Sequence, residues 1–379
     1  MNKYIMIKHI HILIFCVSLL GSITACNPIR TKEIKYKIGT DTLTDIPVFD
    51  KYSFFEENNR IYFCIKPLKC DSLILYTTDG YGKWQLESHL RIPEDYADNK
   101  DMDKVDEWVF INRDTVISVE SNRQAVFLDM RHNRIIRTVP FITDSYDLDT
   151  RCFANIQWNR QRHVLPLMYI SYDTTGRKYN ADVEMIADYS LEKGLVPVPV
   201  RYPRVLTEGK LAAYLNYFNP LVVSHDNVTV YAFTTSPMML YYDHQKNKLK
   251  KRMVKNPNYC ALPTIDTTGL SMLSLPNFIM QQYLLNSFYE YLLYDPNKKM
   301  YYRFFSKEMP LKNEEGLFNT LDDKEYGVSL LDCRLKVVGD VCFRPSDFKR
   351  DYHVTQKGLC RATQQNGTTL INFITFYED

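Results

Sequence analysis

The stretch DTVISVESNRQAVFLDMRHNRIIRTVP, residues 114–140, is the clearest guide to the fold. It contains three short runs with alternating residue character, separated by two polar turns. A period of two is typical of half-buried strands, because successive side chains point to opposite faces of a sheet. The alternating positions are Val116 and Ser118, then Ala125 and Phe127, then Ile135, Arg137 and Val139. The stretch therefore predicts three strands joined by tight turns.

Variants of this strand–Asp–turn–strand unit recur along the chain. An aspartate closes the third strand of successive units at Asp79, Asp129, Asp188 and Asp243, which gives steps of 50, 59 and 55 residues. A period near 50 residues with four short strands is typical of propeller blades rather than of a β-sandwich. Each aspartate suits a turn, because its carboxylate accepts hydrogen bonds from backbone N–H groups two residues on, so we interpret these residues as structural.

The same pattern predicts the individual strands. The first two units have strands at 60–65, 73–78 and 84–90, then at 108–111 and within the opening stretch. The third and fourth units have strands at 153–158, 163–170, 183–188 and 195–200, then at 221–223, 228–233, 238–243 and 249–254. An irregular insertion with three prolines follows at 256–287. The remaining predicted strands are 289–294, 300–305, 326–331 and 335–343, then 359–362 and 370–376.

The last unit is one strand short, and residues 32–38 (KEIKYKI) are the free strand-like segment that would complete it. The sequence therefore predicts an all-β, six-bladed β-propeller closed by an N-terminal strand. Seven blades are the alternative, if residues 256–305 and 326–376 are divided differently. We divide the chain into a targeting segment (1–25), a tether with the closing strand (26–50) and a propeller domain (51–379).

The beginning of the chain has the features of a bacterial lipoprotein signal. Lys3 and Lys8 give a basic start, residues 10–23 are largely apolar, and the letters ITA precede Cys26. This arrangement resembles a lipobox, in which cleavage leaves the cysteine as a diacylated N-terminus. An uncleaved membrane span would need roughly 20 apolar residues, and this run has about 14. We therefore expect lipidation at Cys26 and a membrane partner through that anchor.

The residues after Cys26, NPIRTKE, indicate whether the protein faces the cell surface or the periplasm. They lack the acidic cluster that resembles a surface-export signal in Bacteroides-type bacteria. We therefore expect an outer-membrane lipoprotein of the cell envelope that faces the periplasm.

A family resemblance agrees with this interpretation. The lipobox, the Tyr-rich body and repeats such as LLYDPNKKMYYRFF and VSLLDCRLKVVGDVCF resemble the uncharacterised lipoproteins of Bacteroides-type bacteria. The resemblance covers most of residues 50–379 and depends on pattern rather than on a catalytic motif. It implies a six-bladed propeller similar to the periplasmic protein TolB, and an envelope location. It implies no activity and no functional residue.

Charge and motif content argue against several functional classes. The chain has 47 basic and 45 acidic residues, and Lys3 and Lys8 lie in the targeting segment, so the mature chain is formally neutral. A neutral chain lacks the basic footprint of a nucleic-acid-binding protein, and we expect no nucleic-acid partner. GxSxG, HExxH, GxGxxG and Walker motifs are absent, and we expect no cofactor and no resident metal. The acidic run 94–107 departs from the EF-hand template and is interpreted as a solvated loop.

Three residues are candidates for ligand binding at the central funnel of the propeller. Arg160 and His163 lie in or beside the polar hairpin QWNRQR (157–162), and Tyr283 lies in the aromatic insertion. Aromatic side chains stack on sugar rings, and long loops in compact domains are often functional, so we favour the insertion as a carbohydrate site.

These residues leave three hypotheses for function. The favoured one is a membrane-anchored binding or interaction module whose partner is an envelope protein or a glycan. The alternative is a glycan- or peptide-acting enzyme, or a ligand sensor, with a site at the funnel. A structural envelope lipoprotein is the third. Polar side chains that converge at the funnel mouth would favour the second hypothesis, whereas an apolar plug would oppose it.

Overall fold

The fold of the computed structural model is a ring of six small sheets. The structure describes residues 34–68, 70–78, 83–97, 105–120, 124–140, 147–149, 156–170, 182–204, 220–256, 281–343, 352–365 and 367–378. These residues form six four-stranded sheets, and every strand pair in them is antiparallel. With the sheets numbered as blades 1 to 6 along the chain, the first strand of blade 1 contacts those of blades 2 and 6, and the first strand of blade 5 contacts those of blades 4 and 6. The predicted six-bladed β-propeller is therefore confirmed, and the seven-bladed alternative is wrong.

Strand β1 (Ile34–Leu43) precedes the first complete blade and is described with blade 6. Blade 1 contains β2 (Phe49–Glu57), β3 (Arg60–Pro67), β4 (Ser72–Thr78) and β5 (Gln85–Arg91). Blade 2 follows the short helix α1 (Glu94–Ala97) and contains β6 (Val105–Asn112), β7 (Thr115–Glu120), β8 (Gln124–Asp129) and β9 (Arg134–Pro140). Blade 3 contains β10 (Asp147–Asp149), β11 (Leu165–Ile170), β12 (Glu184–Ser190) and β13 (Gly194–Arg201).

The second half of the ring repeats this plan. Blade 4 contains β14 (Pro220–His225), β15 (Val228–Phe233), β16 (Ser236–Asp243) and β17 (Lys248–Met253). Blade 5 contains β18 (Phe288–Asp295), β19 (Met300–Ser306), β20 (Tyr326–Asp332) and β21 (Val337–Cys342), with a 3-10 turn at Leu321–Asp323. Blade 6 contains β22 (His353–Thr355), β23 (Gly358–Gln365) and β24 (Thr368–Glu378).

Strand β1 closes the ring by completing blade 6. It pairs antiparallel with β24 over its whole length, from Ile34 opposite Glu378 to Leu43 opposite Thr369. The outer strand of this sheet thus comes from the beginning of the chain and the other three strands come from its end. The predicted closure by an N-terminal strand is confirmed, and the strand continues beyond the predicted residues 32–38.

The inner strands of the blades differ most from the sequence-based expectation. Strands β2 and β22 were not predicted, and β6 begins before the predicted residues 108–111. In blade 3 the inner strand lies at Asp147–Asp149 instead of 153–158. Residues 156–158 are irregular, and 153–155 lie outside the described residues. Strands β10 and β22 have three residues each, which is too few for an alternation to be recognised.

The two ends of the propeller differ in their connections. At one end, called here the hairpin face, short turns join the first strand to the second in every blade except blade 3, where Asp149 and Leu165 are joined by a longer connection. In blades 2 to 5 short turns also join the third strand to the fourth at this face. The longer connections between blades lie at the opposite face. Because β24 runs toward the hairpin face and ends at Glu378, its partner Ile34 also lies there. The described chain therefore begins at the hairpin face.

The recurring turn aspartates have the structural role that their pattern indicated in the places where the structure describes them. Asp129 Oδ1 accepts the His132 N–H at 3.1 Å, and Asp243 Oδ1 accepts the Lys246 N–H at 3.0 Å. Asp188 differs, because β12 continues to Ser190 and the buried Asp188 carboxylate pairs with Arg162. Asp79 lies outside the described residues.

Apolar side chains fill the space between neighbouring blades. One buried cluster extends from blade 2 to blade 4 and includes Phe127, Tyr189 and Tyr231. A second joins blades 5 and 6 through Tyr302, Phe304 and Leu359. No helix within the described part of the chain has the length and apolar character needed to cross a membrane.

Gly327 in β20 allows a direct test of this packing. A Cβ atom there would overlap the Phe305 ring and lie 2.6 Å from the Val341 carbonyl oxygen, so the backbone of β21 would have to move. We expect Gly327→Ala to lower the free energy of unfolding by about 1–3 kcal/mol, measured by denaturant unfolding. Gly39→Ala is the control, because no atom lies within 4 Å of the position that its Cβ would take. Equal stability of the two variants would contradict the packing described here.

Candidate functional site

A cavity of about 340 Å³ lies on the axis of the ring, at the level where the inner strands approach the hairpin face. All six blades contribute to its wall. The principal segments are Ser53–Glu56, Glu107–Phe110, Ile156–Gln161, Ser224–Asp226, Tyr294 with Pro296, and His353 with Val354. The position of each segment is equivalent in its blade, close to the turn that follows the inner strand. The cavity is therefore a consequence of the ring and not of one local motif.

Aromatic rings form much of the wall. Phe55 stacks between Tyr62 and Phe110, with ring centroids 4.8 Å and 4.2 Å apart and nearly parallel planes. Trp108 and Trp158 line other parts of the cavity. Phe55, Phe110 and Trp108 are almost fully buried, so the partly exposed Trp158 is the ring that offers a flat apolar surface to a ligand.

Glu56 connects several blades at the mouth of the cavity. Its backbone carbonyl accepts a hydrogen bond from Arg160 Nη2 of blade 3 at 2.6 Å. Its carboxylate accepts the Gln356 backbone N–H of blade 6 and a hydrogen bond from the Asn297 side chain of blade 5. Burial raises the pKa of Glu56, and these hydrogen bonds oppose that effect. Blade 1 is thus joined to three other blades at one residue.

His225 lies in the wall with its ring fixed on several sides. Its ring stacks on Tyr294, with centroids 3.5 Å apart and planes 7° from parallel. Nε2 is hydrogen-bonded to the Tyr301 hydroxyl at 2.7 Å, and Nδ1 lies 3.2 Å from Asp226 Oδ2. Burial lowers the pKa of His225, and Asp226 opposes that effect. Both ring nitrogens are therefore engaged, and the imidazole is held in one orientation.

The hairpin that carries Arg160 is fastened to blade 4. Asn159 Nδ2 donates to Ser224 Oγ and to the Asp226 carbonyl, each at 3.0 Å. Next to it, Arg162 pairs with the buried carboxylate of Asp188 and donates to His244 Nε2 at 2.9 Å. Since a buried carboxylate without a partner is costly, this pair fixes the base of the hairpin. The backbone at Arg160 is consequently well positioned beside the cavity.

The structure separates the residues predicted from sequence to bind ligand. Arg160 lines the cavity. His163 is exposed at the turn of the same hairpin, with a φ of 52°, and does not belong to the cavity wall. Tyr283 is buried; it stacks on Phe288 with centroids 4.8 Å apart, and the Lys324 ammonium lies 4.5 Å from its ring centre. Most of the insertion (257–280) and Cys26 lie outside the described residues.

Several cavity residues were missed at the sequence level, notably Glu56, Glu107 and His225. No motif marks them, because each belongs to a different blade. Their common signal is position, since each lies on an inner strand near the hairpin face. Among the residues that the structure describes, no group of three or more His, Cys, Asp or Glu side chains could hold a metal ion.

Comparisons with known proteins support the fold. Residues 177–339 match the model of a family described as a domain of unknown function, DUF4221. A crystal structure of a DUF4221 family member from Bacteroides vulgatus aligns with 92% of this chain and 100% of its own, with a TM-score of 0.69 and 15% sequence identity. A chain of the mitotic checkpoint complex aligns with 86% of this chain and 74% of its own, at a TM-score of 0.39 and 9% identity, and carries no argument. No curated protein matches.

These findings confirm the predicted resemblance to an uncharacterised, propeller-forming family found in Bacteroides. The likeness to TolB stays a prediction. At 15% identity, the structural similarity establishes the fold and transfers no residue role.

His353 gives a pH-dependence that can be measured. It is buried against the rings of Tyr52 and Phe54, and burial lowers its pKa to about 4. Between about pH 6.5 and pH 4, His353 is protonated in the unfolded chain and neutral in the folded chain. The free energy of unfolding therefore decreases as the pH falls through this interval. The pKa of His244, lowered to about 4 by burial and by Arg162, acts in the same direction.

We expect His353→Phe to reduce this loss of unfolding free energy by up to about 3 kcal/mol, measured as denaturant unfolding between pH 7 and pH 4. His163→Asn is the control, because His163 is exposed and asparagine tolerates its positive φ. If the free energy of unfolding of His353→Phe decreases between pH 7 and pH 4 as much as that of the parent chain, His353 is not the group that titrates.

Proposed function

We propose that this propeller, whose residues 177–339 carry the DUF4221 match, is a membrane-anchored binding module that takes a small polar ligand in its central cavity. The observation that carries the proposal is the composition of one cavity wall. All six blades contribute to it, and charged, amide and aromatic side chains face the same space of about 340 Å³. That volume lies at the lower end of the range for ligand pockets, about 300–1,000 Å³. It suits a ligand of one or two sugar rings.

The chemistry of the wall favours a glycan over an apolar ligand. Trp158, which is partly exposed, supplies a flat surface for the C–H face of a sugar ring. Gln157 and Gln161 supply amide donors and acceptors for hydroxyl groups, and Glu107 adds a carboxylate. Such alternation of apolar faces and polar groups matches the two-sided character of a pyranose.

The positions of the polar groups favour binding over catalysis. Both ring nitrogens of His225 are hydrogen-bonded within the protein, so the imidazole is not poised as a base toward the cavity. Ser224 Oγ accepts hydrogen bonds from Asn159 and Arg162 and lies 3.2 Å from Thr229 Oγ1, and among the described residues no histidine is hydrogen-bonded to it. A ligand sensor would use the same cavity, and so this form of the alternative hypothesis is compatible with the arrangement.

The location in the envelope is proposed on sequence grounds. The ITA–Cys26 motif supports lipidation at Cys26, and the non-acidic residues after it support a periplasm-facing position at the outer membrane. A glycan or a protein of the envelope would then be the partner.

A thermal-shift screen tests the cavity. Neutral oligosaccharides, uronic-acid oligosaccharides and short peptides would be added to the mature chain. A ligand at 100 times its Kd should stabilise the fold by about 2.7 kcal/mol. We expect Gln157→Ala and Arg160→Met to weaken that shift, because both residues are exposed in the cavity wall.

The matched control for this screen is His163→Asn, which lies in the same hairpin but outside the cavity wall. A shift that survives both cavity variants would place the ligand elsewhere. An absence of shift across the whole panel would argue against a cavity for glycans or peptides.

Lipidation is tested separately in cells. We expect the wild-type chain to partition into the detergent phase of a Triton X-114 extract and Cys26→Ser to remain in the aqueous phase, because only the former would carry acyl chains. Cys16→Ser is the control, since Cys16 lies in the apolar part of the targeting segment. Detergent-phase partitioning of Cys26→Ser would refute the lipobox interpretation.

A further inference from the structure

Three neighbouring turns on the hairpin face carry an unusual concentration of positive charge. They are the third-to-fourth-strand turn of blade 4 and both hairpin turns of blade 5, and we call them the basic turns. Each of them places two cations at the surface. The six residues are Lys246, Lys248, Lys298, Lys299, Arg334 and Lys336, and all are exposed.

The acidic residues of the same turns are directed inward. Asp295 is 1% exposed; it accepts the backbone N–H groups of Asn297 and Lys298 at 2.9 Å and 3.0 Å, and the Tyr302 hydroxyl at 2.8 Å. Asp332 accepts the N–H groups of Arg334 and Lys336, each at 2.8 Å. The carboxylates of Asp295 and Asp332 therefore hold the turns in shape through backbone hydrogen bonds and, in the part of the chain that the structure describes, form no ion pair with the lysine and arginine side chains of the basic turns.

Asp243 is the partial exception. Its carboxylate accepts the Lys246 N–H and lies 3.5 Å from the Lys246 ammonium. Throughout the described residues, the other five cations form no ion pair within 4 Å. Asp226 is an exposed acid in the first hairpin turn of blade 4, and its carboxylate contacts His225. The basic turns thus present a net positive surface to solvent.

The opposite face of blade 5 has the reverse character. The connection between β19 and β20 contains six acidic residues, Glu308, Glu314, Glu315, Asp322, Asp323 and Glu325, against the cations Lys307, Lys312 and Lys324. Lys324 is buried and bonded to backbone carbonyls. The blade is polarised from one end to the other, so an anionic partner would approach it from the hairpin face.

The course of the chain indicates which anionic partner is near. Residue 34 lies on the hairpin face, and β1 contacts β21 of blade 5 directly. Seven residues lie between Cys26 and residue 34, and the eight steps along the chain from one to the other span at most about 28 Å when fully extended. An acyl anchor on Cys26 would therefore hold the basic turns within reach of the lipid headgroups.

From this geometry we infer that the basic turns of blades 4 and 5 form a docking surface for an anionic phospholipid bilayer. The anchor belongs to the proposed function and sets the orientation, whereas the affinity of the surface for lipid arises from the turns themselves. Lysine and arginine side chains near a negatively charged bilayer are attracted by its surface potential over about a Debye length. Docking would place the hairpin face, and the end of the channel that holds the cavity, toward the membrane.

The test uses the mature chain from residue 26 with Cys26→Ser, which contains every described strand and closes its ring through β1 and β24. Sedimentation would measure binding to phosphatidylcholine vesicles with and without phosphatidylglycerol. We expect binding to the phosphatidylglycerol vesicles alone, and its loss in about 1 M salt, where the Debye length is about 3 Å. No acyl chain is present, and so the result is independent of the lipidation test and of the cavity screen.

Charge-reversal variants locate the surface. We expect the triple change Lys246→Glu, Lys298→Glu and Lys336→Glu to weaken binding at least about tenfold. The matched control is Arg201→Glu, Lys255→Glu and Lys312→Glu, which alters the same number of exposed cations at the opposite face and should bind like the parent chain. Thermal melts of both variants would confirm folding.

Four outcomes would overturn the inference: equal binding to both kinds of vesicle, unchanged binding by the basic-turn variant, an equal loss in the opposite-face variant, or tighter binding to a duplex oligonucleotide than to phosphatidylglycerol vesicles. The last would identify the surface as one for nucleic acid.

Discussion

The pairing of β1 with β24 is the constraint on which the rest of the molecule depends. Each blade is a small twisted sheet with apolar side chains on both faces, and it is buried only between two neighbours. A row of such sheets would leave two apolar faces exposed at its ends. Strands β1 and β24 pair without interruption, from Ile34 opposite Glu378 to Leu43 opposite Thr369. This pairing joins the two ends of the chain in one sheet, so that neither apolar face is left exposed. Closure therefore converts six marginal sheets into one cooperative ring.

Closure also creates the candidate site. Six inner strands surround the axis, and all six blades contribute residues to the wall of one cavity. Glu56, Arg160 and His225 are far apart in sequence, and they border one cavity because the ring brings equivalent positions together. The contacts of Glu56 with Arg160, Gln356 and Asn297 then hold four blades in register at the mouth. The site is as rigid as the ring, which suits a binding module better than a device that must open and close.

The sequence was a good guide to some parts of this arrangement and a poor guide to others, for physical reasons. Middle strands such as β8 and β16 are continuous apolar runs between turn residues, because both of their faces pack on neighbouring blades, and the sequence predicts them well. The inner strand β22 has three residues, and β10 has three, which is too short for a period to be read. Tyr283 was assigned to a pocket because its insertion is aromatic, but its ring packs on Phe288 beneath Lys324. Arg160 was found because the polar run QWNRQR marks a hairpin, whereas Glu56 and His225 required the inner strands to be known first.

The near-balance of charge in the whole chain, 47 basic against 45 acidic residues, does not describe how charge is distributed over the surface. The turns of blade 5 need an aspartate whose carboxylate caps backbone N–H groups, and that carboxylate is drawn inward as Asp295 and Asp332. The residues that follow on the outside of the same turns are lysine and arginine, which stay in solvent. A chain with nearly equal numbers of basic and acidic residues thus has a positive surface at one end of blade 5, and the acidic loop between β19 and β20 lies at the other end. Turn chemistry alone can therefore separate charge between the two ends of a blade in a chain whose net charge is small, and the charge of each end is determined by its turns rather than by the net charge.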